Sequence, residues 1–88
     1  MCIEDVIERA IVLRQTIVIE YCTRNGMVFS CEITDIWYSQ YYGGGYIQAF
    51  RMDIEQVRTF KISRILKVNG HFFSRIFWNQ IGDSFNLI

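Results

Sequence analysis

Apolar residues recur along this chain at two different periods, and the change of period separates a helix from a set of strands. Ile3, Val6, Ile7, Ala10 and Ile11 stand three or four apart, with Glu4, Glu8 and Arg9 between them. That spacing gathers the apolar set on one helical face. Acids in the first turn and Arg14 near the end suit the helix dipole, so a helix is predicted over residues 3–14. From residue 16 the period falls to two. Ile17, Ile19 and Tyr21 share one face of a strand over residues 16–23, and Met27, Phe29, Cys31 and Ile33 share one face of a second over residues 27–38.

Between these strands lies Arg24-Asn25-Gly26. A two-residue Asn-Gly turn would set Tyr21 opposite Ser30. A three-residue loop with Gly26 in the left-handed region instead pairs Thr23 with Met27, Tyr21 with Phe29, Ile19 with Cys31 and Ile17 with Ile33. Only this second register keeps both apolar faces together, and register follows the buried face. It also sends Cys22 and Cys31 to opposite faces, where they cannot form a disulfide.

Further along, Tyr41-Tyr42-Gly43-Gly44-Gly45 reads as a flexible connection. A third strand follows over residues 46–52, then a turn at Asp53-Ile54-Glu55-Gln56, a fourth strand over 57–62 and a fifth over 64–68, closed by a turn at Asn69-Gly70. One helix before five short antiparallel strands predicts a mainly β, α+β domain built as a small barrel. Residues 71–88 form a C-terminal extension in which Phe73, Ile76, Phe77 and Ile81 are spaced helically. Phe72, Trp78, Phe85, Leu87 and Ile88 add to an apolar surface that is expected to pack on the barrel or on a second subunit.

The stretch YIQAFRMDIEQVRTFKISRI, residues 46–65, places arginines among apolar strand residues. If the strand runs unbroken, Arg58, Phe60, Ile62 and Arg64 share a face. Phe60 and Ile62 belong in the core, and an unpartnered guanidinium there is very costly. Both arginines are therefore expected at the rim, facing a groove, where a packed guanidinium is a fork for phosphate or carboxylate.

At 88 residues the chain is expected to be one domain near the lower size limit for a self-sufficient core, and its apolar content of 51% argues that it folds. No apolar run approaches a membrane span, and Glu4, Asp5 and Glu8 do not make a signal peptide. Cys2, Cys22 and Cys31 include no close pair, and His71 is the sole histidine. They read as free thiols in a reducing cytoplasm rather than metal ligands, and no cofactor is expected. The formal net charge is zero but unevenly spread. Residues 1–45 hold three arginines against six carboxylates, net −3, whereas residues 46–75 hold six cations against Asp53 and Glu55, net +4. The second half therefore prefers anions locally.

Tyr46-Ile47, Ala49, Arg58-Thr59-Phe60 and Arg64-Ile65 make a spaced set, preceded by Ala10-Ile11, Ile17-Val18-Ile19-Glu20-Tyr21 and Gly26. Together they resemble the WYL domain, a small bacterial module named for a Trp-Tyr-Leu signature, over roughly residues 5–69. Gly45 stands where the signature tryptophan would be, and the proline usual in the second strand is missing, as the chain has no proline. The resemblance implies an Sm-like β-barrel over residues 1–70 in a bacterial or phage protein. It also implies a non-enzymatic, ligand-binding role in transcription regulation. WYL domains commonly follow a helix-turn-helix and sense single-stranded nucleic acid or nucleotides; this chain is too short for that motif and shows none.

On this reading Arg58 and Arg64 grip a phosphate, Tyr46 shapes the site or stacks on a base, and Arg51 and Lys61, with Lys67, widen the positive field. Tyr38, Tyr41, Tyr42 and Trp37 are further stacking candidates. The structural alternative keeps Arg58 and Arg64 paired with Asp53, Glu55 or the N-terminal acids, Tyr46 and Trp37 in the core, and the other cations on a solvated face. Catalysis has little support: His71 follows a turn, no nucleophile signature occurs, and the triple glycine lacks the Lys-Ser/Thr of a phosphate-binding loop. The partners expected are a single-stranded nucleic acid or nucleotide, possible docking on a DNA-binding regulator, and a second copy in a homo-oligomer. The competing function is a protein-interaction or oligomerisation module, assembled through the tail and open strand edges with structural arginines.

Overall fold

The structure is a computed structural model that describes residues 2–40 and 45–72. The connection at residues 41–44 and the tail from residue 73 lie outside the described residues, and so do the expectations attached to them.

Helix α1 (Ile3–Val12) buries Ile3, Ile7 and Ala10, the face the periodicity predicts. It stops two residues early. Arg14 takes the left-handed conformation (φ 54°); its N–H bonds to the Ile11 carbonyl at 3.2 Å, and the Gln15 N–H to Ala10 at 2.9 Å. That pair of bonds is the Schellman stop, in which glycine is the usual residue.

Five strands follow: β1 (Ile17–Cys22), β2 (Val28–Tyr38), β3 (Tyr46–Arg51), β4 (Gln56–Lys61) and β5 (Ile65–Val68). The β1–β2 hairpin has the register expected of a three-residue loop, with Ile17 opposite Ile33, Ile19 opposite Cys31 and Tyr21 opposite Phe29. The Thr23 N–H bonds to the Met27 carbonyl at 2.7 Å, and Gly26 supplies the left-handed residue (φ 88°). Met27 itself corrects the sequence reading. Expected inward, it lies just before β2 and is 68% exposed.

The alternation of β2 also breaks. Ile33 pairs with Arg51 and Thr34 with Phe50, but the next pairs are Trp37 with Gln48 and Tyr38 with Ile47. Asp35 and Ile36 thus oppose the single residue Ala49, a bulge at which Asp35 adopts φ 51°. The extra residue moves the inward set from odd to even positions, and Ile36 is buried. Farther on, burial raises the pKa of the Tyr38 phenol, and Glu8 and Asp5 of α1 raise it further.

The sheet order is β4-β3-β2-β1-β5, all antiparallel. It is an open sheet rather than the closed barrel the sequence suggested, with β4 and β5 at its two edges. A single-turn 3-10 helix, Ile62–Arg64, joins those edges and interrupts what the alternation read as a continuing strand. A flat five-stranded sheet would hold its edges about 19 Å apart. The short link from Lys61 to Ile65 spans at most about 14 Å, so the sheet must curl. Its concave side, covered by α1, holds a core that includes Ile7, Ile19, Ile33, Ile47, Phe60 and Ile65. Each such side chain stabilises the fold by roughly 1.5–3 kcal/mol through removal from water.

The Asn69-Gly70 turn forms as expected, with both residues at positive φ and Val68 and His71 exchanging two backbone bonds of 3.0 Å. The Asn69 side chain accepts from the Val18 N–H at 2.9 Å, tying the turn to β1.

Candidate ligand-binding site

The β3–β4 register decides where the predicted site residues point. Ile47 faces Phe60, Ala49 faces Arg58 and Arg51 faces Gln56 on the concave side; Tyr46 faces Lys61, Gln48 faces Thr59 and Phe50 faces Val57 on the convex side. Arg58 therefore sits on the core side of its strand, next to the fully buried Ala49, yet is itself exposed. Two features allow this. β4 is an edge strand, and Ala49 is too small to fill the space opposite. The guanidinium folds along its own strand, with Nη1 donating to the Val57 carbonyl at 3.3 Å. Among the described residues no carboxylate pairs with it.

Arg51 is differently placed. Its Nε and Nη2 donate to the two carboxylate oxygens of Asp53 at 2.8 and 2.7 Å, and the guanidinium lies 4.4 Å from the Phe29 ring centroid. The ion pair holds the Asp53 carboxyl below the usual aspartate range and lifts the Arg51 pKa. Asp53 is thereby taken, and it is Arg51 rather than Arg58 that staples the turn after β3.

Arg64 closes the 3-10 helix and is half-buried, with no ion pair among the described residues. Lys61 ends β4 on the convex side, its Nζ 5.8 Å from the ring centroid of Tyr46. The five predicted residues thus fall into three settings rather than one pocket. Arg58 and Arg64 lie on the β4 edge and the turn after it, Tyr46 and Lys61 pair on the opposite face of the sheet, and Arg51 is anchored to Asp53 and Phe29.

Two further groups sit beside these residues. Tyr21 packs edge-on to Phe60 at 5.1 Å and tilted to Phe29 at 5.9 Å, and its hydroxyl accepts the Lys61 N–H at 2.9 Å. That contact joins β1 to the end of β4 across the curl and fixes the strand that carries Arg58. The alternation marks Tyr21 as inward but carries no sign of this bond. On the convex face Trp37 donates from Nε1 to the Gln48 Oε1 at 2.9 Å, with Phe50 on the same side of β3 as Gln48. Trp37 is 42% exposed and so stands outside the core.

The chemistry elsewhere is muted. All three cysteines are free. A hydrogen bond from the Cys2 thiol to Asp5 Oδ2 at 3.0 Å raises its pKa, and burial raises that of Cys31, so both stay protonated and poor nucleophiles. Among the described residues no three His, Cys, Asp or Glu side chains gather as a metal would require, and no helix is long and apolar enough to cross a membrane. Two open hollows, of about 320 Å³ beside Ile11, Arg14, Asp35 and Trp37 and about 440 Å³ along Asp5, Glu8, Arg9 and Val12, are lined by none of Arg51, Arg58 and Arg64. Searched against models of known protein families and against curated proteins, the chain matches none.

Proposed function

We propose that this chain is a non-catalytic, WYL-type ligand-binding module with an Sm-like barrel, which takes single-stranded nucleic acid or a nucleotide through its arginines. The observation that carries the reading is Arg58. It is an exposed guanidinium held by a packed edge strand, with its charge answered by no carboxylate among the described residues. A phosphate oxygen is the complement such a group lacks. Arg64 follows it within the same basic segment, whose net charge of +4 over residues 46–75 favours a polyanion. The N-terminal helix and the five-stranded antiparallel sheet support the mainly β, α+β part of this reading, and the sheet stays open between β4 and β5. The faces modify the site in one respect: phosphate contacts belong to Arg58 and Arg64 on the edge, while Tyr46 and Lys61 act from the convex face. Arg51 serves as a support. A regulatory role follows from ligand binding coupled to docking on a DNA-binding partner in the cytoplasm.

The test is binding of a fluorescently labelled single strand to wild type and Arg58→Ala. Loss of one charge-assisted contact should weaken binding by about 1–3 kcal/mol. Equal affinity of the two would remove Arg58 from the site.

The alternative, an oligomerisation module, draws support from the open β4 edge. Against it stands Arg58 itself, since an inward-pointing charge on an edge strand is a recurrent way of blocking edge-to-edge pairing.

A further inference from the structure

A half-buried antiparallel sheet ordinarily shows water a polar face. The convex rows of β2, β3 and β4 carry Thr34, Gln48, Thr59 and Lys61, but among them also three aromatic rings, the exposed Trp37 and the half-buried Tyr46 and Phe50, with Gln48 between them and Lys61 beside Tyr46. No outward position in these paired rows is a carboxylate. Gln48 faces Trp37 directly, while Tyr46 and Phe50 stand two positions to either side of Gln48 on the same strand face. Neighbouring rings are thus based roughly 7 Å apart. The Gln48 bond fixes the indole, so Trp37 offers its ring without first having to be ordered.

We propose that this face is a stacking platform for unpaired bases, and that the ligand is a single strand several nucleotides long rather than a duplex or a lone nucleotide. The proposal rests on the reading above that Arg58 takes a phosphate, and it adds what the bases touch. Duplex bases are stacked on each other about 3.4 Å apart and hide their faces. Bases of an extended strand can each cover one ring, as in sequence-tolerant single-strand binders. Charge favours the same occupant. The paired rows hold a cation and no acid, the nearest carboxylates being the exposed Glu32 and Asp35 farther along β2, and the β4 border carries Arg58, Lys61 and Arg64. A second copy of the chain would bring an identical basic border against it.

The experiment measures anisotropy of a labelled oligothymidine strand, with thymidine monophosphate and a hairpin duplex as competitors. The variants are Trp37→Leu, Phe50→Leu, Trp37→Phe and Arg58→Ala, each checked for a wild-type melting transition. Leucine keeps apolar bulk but removes the ring, so each leucine variant should bind about tenfold more weakly with an unchanged salt slope. Trp37→Phe keeps a ring and should stay within about threefold of wild type. Neither competitor should displace the strand at concentrations where unlabelled oligothymidine does. If the leucine variants bind like wild type while Arg58→Ala fails, the platform is wrong and the phosphate reading survives. Failure of wild type to bind overturns both. A wild-type dimer that becomes monomeric in the leucine variants would assign the face to a second copy and overturn the platform.

Discussion

The hydroxyl of Tyr21 accepts a 2.9 Å hydrogen bond from the backbone N–H of Lys61, 40 positions later in the chain. β1 and β4 are not neighbours in the sheet, so this single side chain links strands that the backbone ladder leaves apart. Removing the hydroxyl leaves a part-buried N–H without its partner while the ring still packs on Phe60 and Phe29. Tyr21→Phe should therefore lose about 1–2 kcal/mol in urea unfolding with the fold retained. An unchanged midpoint would show that the curl is held by apolar packing alone.

Arg14 occupies the left-handed position of the helix stop at φ 54°. A side chain there costs about 1–2 kcal/mol relative to glycine, offset in part by the greater freedom glycine has in the unfolded chain. Arg14→Gly should raise stability by about 0.5–1 kcal/mol in the same assay. A loss of stability would mean that the arginine side chain makes a contact worth more than the strain.

The Arg51–Asp53 pair should show in the pH dependence of unfolding. The folded carboxyl lies below its ordinary range because Arg51 donates to it. Its contribution is then complete above the unfolded value of about 3.9 and disappears as pH falls through the lower folded value. The gap in melting temperature between wild type and Asp53→Asn should accordingly be constant near neutrality and close as the pH falls below the ordinary aspartate range. A gap that persists in strong acid would show that the substitution acts through something other than the ion pair.

Arg58 should also guard the edge on which it sits. Arg58→Val turns the core-facing side of β4 apolar and leaves the strand open to pairing. Sedimentation velocity should shift toward larger species at high protein concentration for this variant and not for Lys61→Val, whose side chain faces the other way. Equal behaviour of the two would remove the guarding role.

The sequence foretold most of the fold where period and turn chemistry agree. The β1–β2 register was legible because Gly26 permits only one loop that keeps Ile17, Ile19 and Tyr21 beside Ile33, Cys31 and Phe29. The bulge at Asp35 was not, because Asp carries no glycine-like flag and the apolar Ile36 simply looks out of phase. The 3-10 turn was hidden for the opposite reason: Phe60 and Ile62 keep strand alternation although the chain leaves the sheet between them. Period set Arg58 on the face of Phe60, where it lies, but Arg64 closes the 3-10 turn, and Tyr46, Arg51 and Lys61 were chosen by type, which does not fix the face. Parity along β3 and β4 separates Tyr46 from Arg58 only once Ala49 is known to oppose Arg58, and that register depends on the geometry of the intervening turn. Whether Trp37 stacks or lies in the core stayed open in the sequence because the inserted residue that turns it outward leaves no trace in the alternation.

The central claim, that Arg58 and Arg64 each hold a phosphate, is tested most directly by the salt dependence of single-strand binding. For wild type, Arg58→Ala and the Arg58→Ala/Arg64→Ala double variant, the logarithm of affinity would be plotted against the logarithm of salt concentration. Each phosphate contact contributes about 0.7 to the steepness for a single strand. The account predicts a slope shallower by about 0.7 in the single variant and about 1.4 in the double variant, with weaker binding in each. Three parallel lines, or wild-type binding that ignores salt, would contradict it.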